Sequence, residues 1–107
     1  MTVYVTQETE LNISPATRFG DKFVYLTKRT DNRSLGQLFG RIKATLTEFT
    51  DDDYILCVGN PSAIGAAVGT AARLNDGRCA LLVWDNFTRD YEVVDLDMTG
   101  AAGNVCG

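Results

Sequence analysis

The chain has 107 residues, 45% of them hydrophobic, which suits one domain around a single core and is too short for two. Ten Lys and Arg against 14 Asp and Glu leave a net charge of −4, so general attraction to phosphate backbones or anionic lipid is not expected, nor is nucleic acid as a partner. With no histidine, and three cysteines lacking metal-ligand spacing, the composition argues against a metal centre and calls for no cofactor.

In chain order, TVYVTQ alternates Val3 and Val5 against Tyr4 and Thr6, the period of a short strand, and the polar ETELNIS that follows ends it; Pro15 lies in a connector. FVYLTKR, residues 23–29, is a second β-like run, and Ser34 is a candidate cap for the helix after it. From Leu35 to Phe49 the apolar residues Leu35, Leu38, Phe39, Ile42, Leu46 and Phe49 recur at spacings of three and four, which predicts an amphipathic helix with Arg41, Lys43, Thr45 and Glu48 outward. Gly36 and Gly40 lie on it, and each costs on the order of 1 kcal/mol relative to alanine, so a close neighbour is expected there.

The polar TDDD, residues 50–53, reads as a solvated turn, and YILCVG as a strand covered on both sides. Asn60 followed by Pro61 is a strong helix start, and Asn75, Asp76 and Gly77 mark its end. CALLVWD then re-enters the sheet, Asn86 to Asp90 form a polar loop, and YEVVDLD returns as an antiparallel edge. The prediction is a single α/β domain over residues 1–99, in the order ββαβαββ, with a largely parallel central sheet, two helices and an edge hairpin. Residues 100–107 form a small, glycine-rich tail expected to be flexible. Two helices cannot cover both faces of such a sheet, so the N-terminal segment or a second copy of the chain, a homodimer, is expected on the other. Cys57 and Cys79 fall inside apolar runs and read as reduced core residues.

Two constellations are candidate sites. Gly59, Asn60 and Ser62, with Asp85 at the end of a neighbouring strand, form the place where an α/β unit would hold an anionic ligand or nucleotide at a helix N-terminus. Neither the dinucleotide fingerprint nor the Gly-Lys-Ser/Thr phosphate loop is present, and Pro61 removes one donor, so a cap with close packing is the competing reading. The same holds for Gly65 and Gly69 in the helix, spaced by four like Ala63, Ala67 and Ala71, which point to close approach of a sheet or symmetry mate. Trp84, Phe87, Arg89 and Tyr91 have the composition of a partner-binding patch; alternatively Trp84 and Tyr91 pair across the hairpin and stabilise it. Asp51 to Asp53 read as solvated, and the basic residues Lys28, Arg29, Arg33, Arg41 and Lys43 as a solvated face. No residue set here suits catalysis, and a non-enzymatic role is expected.

TEFTDDDYILCVGNPSAIGAA, then NDGR and LLVWDNFTRDYEVVDLD, with the opening VYVTQE and the connector PATRFG, resemble a family of small tailed-bacteriophage proteins of unestablished activity. Phe49, Asp51 to Asp53, Tyr54, Gly59, Pro61, Ile64, Gly77, Trp84 and Asp85 match its pattern. Val83 stands where that family has a basic residue, and residues 27–33 differ. The resemblance implies a phage accessory protein in the cytoplasm of an infected bacterium, consistent with the lack of any apolar run of about 18 residues and of a signal-like N-terminus. Binding to a bacterial host or phage protein is the leading expectation; binding an anionic ligand at the Gly59 turn, or a structural part in a virion or replication complex, are the alternatives.

Overall fold

A computed structural model describes residues 1–28 and 35–99. The elements are β1 (Thr2–Val5), a 3-10 helix (Ser14–Phe19), β2 (Lys22–Tyr25), α1 (Leu35–Thr45) with a 3-10 turn (Leu46–Glu48), β3 (Tyr54–Leu56), α2 (Pro61–Leu74), β4 (Arg78–Asp85) and β5 (Asp90–Asp97). They build the predicted α/β domain, with a five-stranded sheet ordered β2-β1-β3-β4-β5. The first four strands are parallel, and β5 returns antiparallel to β4 with Trp84 opposite Tyr91.

This order explains how two helices suffice. The connections β2 to β3 and β3 to β4 run in one direction across the sheet, so right-handed crossovers put α1 and α2 on the same face; β1 to β2 runs the other way, and its crossover falls on the opposite face. Side chains alternate accordingly. Tyr4 and Ile55 join Ile42, Leu46, Phe49 and Ala67 beneath the helices, while Val3, Val5, Leu56 and Leu82 pack with Ala16, Ile13 and Phe19 of the crossover. The N-terminal segment therefore covers the second face. Arg18 ties it to the hairpin, donating to the Asp90 carboxylate and, at 3.2 Å, to the Tyr91 carbonyl.

Several boundaries differ from the periodicity. The predicted helix to Phe49 ends as α-helix at Thr45, and its last turn tightens into the 3-10 geometry common at helix C-termini. Phe39 is 49% exposed rather than in the core. Asp53, read as solvated, is buried: its carboxylate accepts from the Thr2 and Thr50 backbone N–H groups at 2.8 and 3.0 Å and from the Thr50 hydroxyl, fastening the start of β1 to the approach of β3. Asn86 to Arg89 form the hairpin loop, one residue shorter than expected.

The glycine rows also sit differently. Ala63, Ala67 and Ala71 are buried toward the sheet, but Gly65 and Gly69 lie two residues, some 200°, around the helix from them and face outward. A Cβ at Gly36, Gly40, Gly65 or Gly69 would have no neighbour within 4 Å. Close packing inside the fold thus accounts for the alanines and not for the glycines. The candidate cap Ser34, the cations Arg29 and Arg33, and the tail 100–107 lie outside the described residues.

Candidate functional site

In a sheet of order 2-1-3-4-5 the crevice for ligands opens beyond the C-terminal ends of β1 and β3, where the chain turns in opposite directions. Here that crevice is stitched shut by the residues following β1. The Thr6 hydroxyl donates to the Val58 carbonyl at 2.6 Å and accepts from the Val58 N–H at 2.9 Å. Gln7 reaches across and its Oε1 accepts from the Asn60 N–H at 2.9 Å. Asn60 in turn caps α2, its Oδ1 accepting from the Ser62 N–H at 2.8 Å, and Pro61 has no N–H to offer. The backbone donors that an anion would use at Asn60 and Ser62 are occupied within the chain. The open space beside the turn, about 270 Å³, is flanked by Glu8 and Glu10, the wrong charge for a phosphate.

Gly59 owes its identity to this arrangement. Its φ is +91°, and an added Cβ would come within 2.1 Å of Gln7 Oε1. Gln7 was not among the sequence-level candidates, since nothing in its neighbourhood marks a side chain that must cross to another strand end. Asp85 is likewise engaged locally: its carboxylate accepts from the Phe87 N–H at 2.8 Å and organises the hairpin loop.

The residues singled out around the hairpin do come together. Trp84 and Tyr91 meet edge to face, 5.1 Å between ring centroids and 71° between planes, so the cross-strand pair exists. Yet pairing does not remove Trp84 from the surface. It remains 39% exposed, its indole N–H bonded at 3.0 Å to Asn86 Oδ1. Beside the pair runs an open groove of about 380 Å³ lined by Leu11, Pro15, Val58, Trp84, Arg89 and Tyr91. Leu11 is 67% exposed, and Phe87, at the loop tip, is 99% exposed. Arg89 adopts φ +54°, a left-handed conformation uncommon for a residue with a side chain. Sequence reasoning found Trp84, Phe87, Arg89 and Tyr91 but not Leu11 or Pro15, because the opposite wall comes from a connector whose position depends on crossover handedness.

Residues 1–98 match the profile of the family described as Phage Pam3 gp32-like protein. The chain belongs to that family. It is therefore a phage protein, as the resemblance implied. Comparison with curated proteins and with solved structures found no match.

Cys57 and Cys79 are free thiols, and burial pushes them up to about 11 and about 12, far from the thiolate needed for nucleophilic chemistry. Among the described residues no group of three His, Cys, Asp or Glu is placed to hold a metal ion, and no helix is long and apolar enough to cross a membrane.

Proposed function

We propose that this Pam3 gp32-like protein is a non-enzymatic accessory protein that works in the infected bacterium by binding a host or phage protein through the groove beside Trp84. The groove itself carries the reading. It joins an exposed indole, exposed leucine and a guanidinium at one open surface, a composition enriched where binding energy concentrates. The hairpin loop adds support: Arg89, left-handed and bonded through its N–H to the Asp85 carbonyl at 2.8 Å, places its side chain on the groove wall beside Trp84.

Trp84 is the sole tryptophan and so a built-in reporter. Titrating fractions of host-cell lysate cleared of fluorescence background against Trp84 emission should identify one that shifts the spectrum, and Leu11→Ser should abolish the shift. Equal shifts for the parent and Leu11→Ser would place binding elsewhere. The anionic-ligand reading gains no support from the geometry, because Gln7 and Asn60 already use the donors at the turn.

A further inference from the structure

A second surface, on the opposite side of the sheet, is built for a different contact. Between α1 and α2 lies an open groove of about 310 Å³ lined by Phe39, Lys43, Gly65, Gly69, Thr70 and Arg73. Four features of it are unexplained by the fold. Gly65 and Gly69 stand on its wall with free space where a Cβ would be, and Gly36 and Gly40 repeat the pattern on α1. An exposed helical glycine weakens a helix and, with no neighbour to admit, brings this fold nothing in return. Phe39 is half-exposed at the rim. Thr70 lines the groove at 5% exposure, and its hydroxyl has no hydrogen-bond partner among the described residues, a costly arrangement for a buried polar atom. Finally, neither helix contains an Asp or Glu, whereas Lys43 and Arg73 on the groove are both cationic, in a protein of net charge −4.

We infer that the α1/α2 groove is a docking site for an acidic amphipathic helix of another protein. The glycines, Phe39 and the cations then each have a use. The glycines let a helix backbone approach closely, as small residues at spacing four do in helix pairs. Phe39 packs on its apolar stripe. Charge decides the occupant. Lys43 and Arg73 flank the groove with no carboxylate on either helix to offset them, so acidic side chains are complementary. A second copy docking by the same face would instead gather Lys43 and Arg73 of both copies in one interface, with no carboxylate from either pair of helices to offset them.

The test uses a display library of 20-residue amphipathic helical peptides of random charge, selected on the full chain, with the best peptides measured by fluorescence anisotropy. Enriched peptides should carry an excess of Asp and Glu. Gly65→Leu and Gly69→Leu, each checked by circular dichroism for an intact fold since an added Cβ meets nothing within 4 Å, should each weaken binding at least tenfold. The double variant Lys43→Glu with Arg73→Glu should reverse the preference toward basic peptides. Selected peptides that lack acidic excess, that bind the glycine variants as tightly as the parent, or that fail to emerge at all would overturn the inference. So would sedimentation showing a dimer that Gly65→Leu dissociates, since the face would then belong to a second copy.

Discussion

Gln7 and Gly59 illustrate how one side chain can close a site that the topology opens. Gly59→Ala meets both a left-handed φ and the Gln7 amide, and should cost about 2 to 4 kcal/mol in chemical denaturation. In a Gln7→Ala background the clash is gone and only the backbone strain remains, so the same substitution should cost measurably less; equal costs in both backgrounds would show that the amide does not constrain the turn. Thr70→Val tests an opposite situation. Removing a hydroxyl that has no partner should leave stability unchanged or raise it by about 1 kcal/mol, read from the shift in urea midpoint. The buried thiols set an alkaline limit. Burial raises Cys57 and Cys79 above the ordinary thiol value of about 8.5, so their contribution is complete below that value and is lost as pH rises toward about 11 and about 12. The urea midpoint should begin to fall above pH ~8.5, and the variant Cys57→Ala with Cys79→Ala should flatten that early decline.

At the scale of elements, two ion pairs tie together segments that are distant in sequence. Arg18 joins the 3-10 crossover to β5 through Asp90, and Arg78 at the start of β4 meets Asp51 before β3 at 3.1 Å. The Arg18 guanidinium holds the Asp90 carboxyl below the usual carboxylate range, and Arg78 does so for Asp51, with Asn75 assisting. A carboxyl lowered in the folded state contributes above its ordinary value near 3.9 and ceases to contribute as pH falls through its folded value. Hydrogen exchange of the crossover amides should therefore quicken in Arg18→Ala at neutral pH and in the parent only under acid conditions; an unchanged rate in Arg18→Ala would show that packing of Ala16 and Phe19 alone retains the crossover. For α2 the exposed glycines give a clear direction. Gly65→Ala and Gly69→Ala should each raise stability by about 0.5 to 1 kcal/mol, because the added methyl meets open space.

For the whole molecule, much of the architecture was legible because local signals and connection rules agree. Apolar runs located the central strands, Asn60-Pro61 and Asn75 to Gly77 bounded α2 as the caps now show, and crossover length implied parallel pairing. The left-handed Asp76 and the Gly77 N–H bonded to the Ala72 carbonyl at 2.7 Å complete that helix end. What escaped was anything that depends on two distant segments meeting. Phe39 fits the helical period yet stands at a groove, Asp53 sits in an acidic run yet is buried, and Gln7 looks like a loop residue yet seals the switch point. The candidate partner surface was half legible: the hairpin residues follow from their own spacing, whereas Leu11 and Pro15 arrive from a crossover on the far side of β1.

For protein binding at the Trp84 groove, Phe87→Ala and Leu11→Ser are the cleanest probes, because such exposed side chains carry little of the fold's stability. The most direct measurement is quantitative affinity purification from infected host cells with tagged parent, Phe87→Ala and Leu11→Ser proteins, compared by mass spectrometry. One host or phage protein should be enriched on the parent and reduced at least tenfold on both variants. A captured set identical for all three proteins would contradict binding through this groove.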